Sequence, residues 1–258
     1  MNNQKYLDIR NNTVVKANEI IQKSRFNLSL QQQKIVLYLI SQISFTDTEF
    51  KLYEFSITEF CKVCGIDYES GKNYADLKTA IKEIADKSMW IKLDNKRETL
   101  VRWIEKPYIE ENNGIIKIRL DNDMKPFLLQ LKQNFTQYEL FWTLNFKSKY
   151  TIRLYELVKS IHYHELETYE RIIDLEDLKR MLDGENYKVY KDFRKRVLEP
   201  SINELNEYSD KIISYEPIKE SRSIKKIKLI ISTKEAIDRM KLQVSIENQF
   251  NLNQTSLW

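Results

Sequence analysis

The densest concentration of chemically useful side chains lies between Tyr187 and Pro200. Five basic residues, Lys188, Lys191, Arg194, Lys195 and Arg196, stand there against two acidic ones, Asp192 and Glu199. At about 100° per residue, Tyr190, Phe193 and Val197 share one side of a helix, and Lys188, Lys191 and Lys195 fall nearly opposite. Ammonium groups on an outer face suit phosphates. Arg194, beside the apolar edge, carries the planar fork that pairs bidentately with guanine. A second cationic group, Lys219, Arg222, Lys225, Lys226 and Lys228, follows on an alternating strand pattern. It suits a β-hairpin that reaches backbone or minor groove beside the helix, and equally an edge strand protected by lysines. A basic helix is by itself also an ordinary solvated surface, so the surrounding elements decide between these readings.

Other signals lead to weaker chemistry. Lys72 and Asn73 open, and Lys78 lines, an earlier helix whose charges are balanced, Lys78, Lys82 and Lys87 against Asp76, Glu83 and Asp86. This helix is expected to bind DNA more weakly, and Lys72 and Asn73 at its start suit DNA contacts and equally a plain helix-entry loop. Gly65 to Lys72 superficially suggests a phosphate loop, but five residues separate Gly65 from Gly71 where the motif needs four, and Asn73 replaces the Ser or Thr that would hold magnesium. Cys61 and Cys64 form a CxxC without a second ligand pair for tetrahedral zinc, and their spacing puts them on the inward face of a helix. His162, Tyr163 and His164 match the His-hydrophobic-His motif of rolling-circle nickases. As a continuation of the helical stripe Leu154, Val158, Ile161, the two His diverge by about 200° and do not converge on a metal. Glu110 with Glu111, and Glu165 with Glu167, have no basic or metal partner in the sequence pattern.

The elements that must position the basic residues occur twice. With 258 residues the chain fits two domains, and 42% hydrophobic content supplies ordinary cores. Ile35, Val36, Leu39, Ile40 and Ile43 make a helical stripe that Leu154, Val158 and Ile161 repeat. Ser56 with Glu59 is a capping-box signature ahead of Phe60, Cys61 and Cys64, with Gly65 as a stop. Asp174 to Gly184, with Leu175, Leu178 and Leu182, matches it. A longer helix follows in each half, Tyr74 to about Trp90 and Tyr187 to about Tyr208. Each is followed by two strands: Leu100 to Ile104 with Ile115 to Leu120 around Asn112, Asn113 and Gly114, then Ile212 to Tyr215 with Ile224 to Ile231. Three helices and a hairpin, twice over, is the order of a winged helix, whose third helix can enter a major groove. Pro200, inside a pattern that continues to Leu205, predicts an interruption of the second long helix.

Several motifs in this order resemble the iteron-binding plasmid replication initiators of the RepE type. Ser148 to Leu157 is similar to that family's second-domain opening helix. Tyr190 to Arg194, continued through Val197 to Leu205 and on to Ser209 and Asp210, is similar to its recognition-helix block, and Leu28 to Ile35 to its first-domain opening. The similarity spans Val14 to Thr233. It departs at the second wing, where the family often has Gly before Arg and this chain has Ser221 before Arg222. The resemblance implies binding to repeated duplex elements at a plasmid origin as a monomer in equilibrium with a homodimer joined through the first domain. It further implies autorepression and recruitment of host replication-initiation and helicase-loading proteins.

The expectation is therefore an α+β chain of two tandem winged-helix domains. Residues 1–132 form the first, for DNA contact or dimerisation; residues 133–238 the second, the main DNA-binding domain; and residues 239–258 a polar tail, mobile or weakly helical. It acts on double-stranded DNA without a catalytic site, metal or other cofactor. The alternatives are a transcriptional repressor of the same fold and, across classes, the nickase. Only four Gly leave little material for a Gly-rich dinucleotide loop. Two Cys, no long apolar run and no leader-like start predict a soluble cytoplasmic protein with no membrane partner. A net charge of +4 decides nothing alone.

Overall fold

In the computed structural model the described residues are 3–64, 71–94, 96–110, 114–162 and 168–255, without the side chains of 71–74 and 253–255. The first half runs α1 (Gln4–Arg10), β1 (Thr13–Ala17), α2 (Asn18–Gln22), β2 (Ser24–Arg25), α3 (Leu30–Ile40), β3 (Tyr53–Ser56), α4 (Ile57–Cys64) and α5 (Gly71–Asp86). It continues with β4 (Ser88–Lys92), β5 (Glu98–Arg102), β6 (Tyr108–Glu110) and β7 (Ile115–Ile118). Local sequence explains the starts. Ser29 caps α3 reciprocally with Gln32, its hydroxyl accepting from the Gln32 N–H and its own N–H donating to the Gln32 side chain. Ser56 accepts from the Glu59 N–H at 3.0 Å, but the Glu59 carboxylate turns away to Lys5 and Tyr38, so only half of the expected box forms.

Two expectations for this half are corrected. The long helix ends at Asp86 rather than near Trp90, because Ser88 to Lys92 alternates, with Met89 and Ile91 buried and Trp90 out, and becomes a strand. The hairpin partner of that strand is β5, closed by an Asp94 side chain that accepts from the N–H groups of Lys96 and Arg97. Residues 98–102 and 115–118 therefore belong to different sheets, β2-β4-β5 and β3-β7-β6, with an antiparallel bridge between Ile104 and Leu120 just beyond them. Asn112 and Asn113, the expected turn, lie outside the described residues.

Between the halves come α6 (Lys125–Leu128), β8 (Phe135–Glu139) and α7 (Leu140–Leu144). β8 pairs antiparallel with β1, Thr13 opposite Glu139 through Ala17 opposite Phe135, so a two-stranded sheet stitches the start of the chain to the segment that opens the second half. The second half runs α8 (Lys149–Ile161), β9 (Tyr169–Asp174), α9 (Leu175–Met181), α10 (Tyr190–Phe193), a π-helical turn (Arg194–Leu198) and α11 (Glu199–Tyr208). It ends with β10 (Lys211–Glu220), β11 (Ser223–Thr233) and α12 (Ala236–Thr255). The three strands order as β10-β11-β9, all antiparallel.

One hydrophobic core runs through both halves, and nearly every inward position read from the helical and strand stripes is in it, from Ile35 and Leu77 to Phe193, Val197, Ile227 and Ile231. α8 lies at its centre. Even its polar residues Thr151, Arg153, Glu156 and Ser160 are buried, and Glu156 receives both the Lys16 ammonium of β1 and the Tyr138 hydroxyl of β8. The tail expected to be mobile or weakly helical belongs to a 20-residue helix whose Ile246 and Phe250 are buried. Arg10 explains that docking. Its guanidinium lies 4.6 Å from the Phe250 ring centroid and donates to the Val63 carbonyl and to Asn145, and burial lowers its pKa to about 10.

Candidate nucleic-acid interface

The second helix-turn-helix, α9 with the helix that begins at Tyr190, holds the basic cluster by three local devices. Asp183 takes a left-handed φ of 58° after α9, and Gly184 then passes so close to Phe193 that a Cβ there would meet the ring at 2.8 Å. Lys179, a buried lysine that sequence reasoning missed, donates to Glu176 and to the Lys188 carbonyl at 3.1 Å, fixing the loop before the helix. Phe193 and Val197 are then wholly buried. Lys191, Arg194, Lys195 and Arg196 are exposed.

Lys188 is exposed too, but it lies in the loop ahead of Tyr190 and not on the helix as expected. The anticipated interruption at Pro200 takes the form of the π-helical turn. The Glu199 N–H reaches back five residues to the Arg194 carbonyl, so the bonding ladder shifts by one residue just before the proline. Within it Arg194 Nε lies 3.5 Å from Glu199 Oε1, and the same Glu199 atom accepts from the Tyr215 hydroxyl at 3.0 Å. Sequence reasoning missed Glu199 and Tyr215 as members of the site. The one signal for them was Pro200, since a five-residue spacing is not a neighbour relation on an α-helix.

The hairpin beside this helix is longer than its sequence pattern, ten residues against eleven, and its stem is pinned to α11. The Asn206 side chain accepts from the Ile213 N–H at 2.7 Å and donates to the Ile213 carbonyl at 2.8 Å. Pro217 is tolerated because β10 is an edge strand, and a bulge follows between Ile218 and Lys219. At the tip Ser221 adopts a φ of 57°, doing the backbone work of the glycine it replaces in the family pattern. The wing cations divide into two groups. Lys226 pairs with Glu220 at 2.8 Å, and Lys228 with Glu216 at 2.7 Å and Glu170 at 3.5 Å; these carboxylates raise both lysine pKa values. Lys219, Arg222 and Lys225 are exposed near the tip.

On the first helix-turn-helix, Lys72 and Asn73 fall in the first turn of α5, with their side chains outside the described set, and Lys78 is exposed on its outer face. Lys87 donates to Gln32 and pairs with Glu83, so part of this charge is neutralised within the chain. Cys61 and Cys64 are unbonded to each other and buried as expected, and burial pushes the Cys64 thiol up to about 12. Among the described residues no group of three or more His, Cys, Asp or Glu could hold a metal ion. His162 caps the end of α8 instead of continuing it. Its Nδ1 lies 3.3 Å from the buried Lys211 ammonium, a poor neighbour for a cation, while Tyr163 and His164 are outside the described residues.

A helix-turn-helix carrying exposed cations, with a cationic hairpin tied to the same helix, and a second unit of the same order before it, define a tandem winged-helix protein. Two family models match this chain, "Initiator Replication protein, WH1" over residues 13–159 and "Initiator Rep protein, WH2" over residues 174–231. The chain belongs to the initiator Rep protein family. It is 27% identical over 207 residues to a replication initiation protein of Escherichia coli, covering 76% of this chain and 63% of that one, so it spans less than two thirds of that relative's length. Its fold is similar to a solved structure described as the Pi initiator protein in complex with iteron DNA, with a TM-score of 0.71, 17% identity, and coverage of 88% of this chain and 99% of the other.

Proposed function

We propose that this chain initiates plasmid replication by binding repeated double-stranded elements, the iterons, at an origin and promoting strand opening beside them. The observation that carries the reading is the second-half surface: Lys191, Lys195 and Arg196 exposed on a helix whose partner hairpin presents Lys219, Arg222 and Lys225. Membership of the initiator family and the likeness to an initiator solved on iteron DNA support it. Residues 133–238 supply most groove contacts, with Arg194 on a base edge and Lys188, Lys191, Lys195 and Arg196 on phosphates. Lys226 contributes charge from within its ion pair, and Lys72, Asn73 and Lys78 add weaker contacts. Residues 1–132 join two copies into a homodimer that represses the chain's own promoter. The cross-strand pair Trp90 and Leu100, about half exposed on the outer face of the first hairpin, supports that role. Host replication-initiation and helicase-loading proteins are the other partners. No helix among the described residues is long and apolar enough to cross a membrane, in keeping with a cytoplasmic role.

Footprinting across the origin of a plasmid that carries this sequence tests the reading. Evenly spaced protected repeats next to a duplex that becomes sensitive to single-strand reagents are expected. A single protected operator with no opening identifies a repressor. A relaxed circle carrying covalently attached protein, formed only with a divalent metal, identifies a nickase.

A further inference from the structure

Arg194 and Glu199 are five residues apart, a spacing that on an α-helix leaves two side chains about 140° apart around the axis. The π-helical turn Arg194–Leu198 brings them into register. The turn falls where Pro200 requires one. Proline has no N–H for the Arg196 carbonyl and its ring crowds that oxygen, and a one-residue shift in the ladder removes both conflicts. Glu199 is held from the other side by the Tyr215 hydroxyl on β10. The Tyr190 hydroxyl, four residues before Arg194, is shielded from solvent against Tyr215. Burial and the Glu199 carboxylate raise the Tyr215 pKa, so the phenol keeps the proton it donates.

This arrangement is poorly explained by stability. The Arg194 and Glu199 side chains are 46% and 42% exposed, and an ion pair that wet contributes little to folding. Its effect on the guanidinium is specific. Engaging Nε leaves the edge made by the two Nη groups, which is the edge that matches O6 and N7 of guanine.

We propose that Glu199 is a positioning residue for base recognition: seated on Tyr215, it fixes the Arg194 fork for a base edge and ties that orientation to the stem of the wing. The proposal rests on the reading of this chain as a duplex-binding initiator and assigns the source of its sequence preference. Arg194 alone touches the base; Glu199 and Tyr215 act through it.

The test begins by selecting the preferred site of the full-length protein from a randomised duplex library. The wild type, Arg194→Ala, Glu199→Gln, Tyr215→Phe and the Arg194→Ala/Glu199→Gln double variant are then titrated against that site, its single-position variants and a scrambled duplex, with thermal melting of each protein. Glu199→Gln keeps an acceptor for Tyr215 and removes the charge. It is expected to melt normally and to lower the ratio of selected to scrambled affinity by about fivefold to tenfold, at the base pair that Arg194→Ala also relaxes, without weakening scrambled binding. The double variant is expected to match Arg194→Ala alone, and Tyr215→Phe to shift the ratio in the same direction by less. Full discrimination by Glu199→Gln, loss at a different base pair, an effect that adds to Arg194→Ala, or tighter binding to the selected site each overturns the proposal. A wild-type protein that selects no site is a separate result, and it overturns the initiator reading itself.

Discussion

The two halves of this molecule repeat an order of elements and diverge in what those elements show to the outside. α5 is an uninterrupted helix whose exposed Asp76, Lys78, Lys82, Glu83 and Asp86 mix both signs. Its counterpart from Tyr190 to Tyr208 is broken by a π-helical turn and concentrates Lys191, Arg194, Lys195 and Arg196 on one stretch. The first hairpin turns Trp90 and Leu100 outward, whereas the second ends in Lys219, Arg222 and Lys225. Inward positions are shared in kind between the halves, because each unit must bury one apolar stripe per helix. Outward positions carry no such constraint, and there one half has become cationic while the other exposes an apolar pair.

The strongest way to break this contrast is a salt titration of DNA binding. With about six to ten phosphate contacts, affinity should fall by roughly 10³ to 10⁵ between about 50 and 200 mM salt. The triple variant Lys191→Ala/Lys195→Ala/Arg196→Ala should lower the log-log salt slope by about three units, and Lys78→Ala/Lys82→Ala by less than one. Fluorescence anisotropy measures both, and equal losses would mean that the two helices meet DNA alike.

The seam between the halves should fail next. Glu156 balances the buried Lys16 ammonium, whose pKa burial lowers, and accepts from Tyr138. Glu156→Ala leaves an unpaired buried charge and should cost about 3–5 kcal/mol in denaturant unfolding. Adding Lys16→Met should recover much of it. The wild type should unfold in one calorimetric transition, since β1 and β8 form one sheet across the seam. Two transitions would show the halves to be independent.

The repeat, both helix-turn-helix pairs and the second hairpin were legible because each rests on local periodicity: Leu175, Leu178 and Leu182, or Ile227, Leu229 and Ile231, need only one face to be buried. Strand partners were harder. Which segment pairs with residues 115–118 depends on β3, some sixty positions earlier, and nothing in the alternation of Ile115 to Ile118 names that partner. α12 was read as a weak tail because its apolar residues lie on more than one face. Ile246 and Phe250 pack inward, while Ile237, Met240 and Val244 are exposed. The charged cluster was visible as composition, but its geometry was not, because a helical wheel assumes a constant angle per residue and the π-helical turn breaks that assumption at Arg194.

A smaller effect tests the outer face of the first hairpin. If residues 1–132 form the dimer contact through Trp90 and Leu100, Trp90→Lys should weaken self-association by about 2 kcal/mol, roughly thirtyfold in the dimer constant. Sedimentation equilibrium reads this directly. Arg222→Ala on the second wing should leave self-association unchanged, and a matching loss there would erase the distinction between the two hairpins.

The last contrast is inside, where α4 and α9 occupy the same place in the two units. Ile57, Phe60 and Cys64 precede Leu175, Leu178 and Leu182 by 118 positions each, so Cys64 stands where the second unit has a leucine. If it serves as a core residue, its thiol must stay protonated in the fold, and burial holds its pKa at about 12 against an ordinary 9.0. Above about pH 9 the unfolded chain releases that proton and the folded chain keeps it, so stability present at neutral pH is lost as pH rises from about 9 toward 12. By pH 10 the wild type should have lost about 1.4 kcal/mol relative to its value at pH 8 beyond what Cys64→Ala loses over the same interval. Urea unfolding of both proteins at the two pH values isolates the thiol, because every other titrating group is common to the pair. The alanine variant carries a constant cavity penalty that cancels in the difference. Parallel losses in the two proteins would mean that Cys64 ionises in place, which Leu182 cannot do, and the equivalence of α4 and α9 would then end at this position.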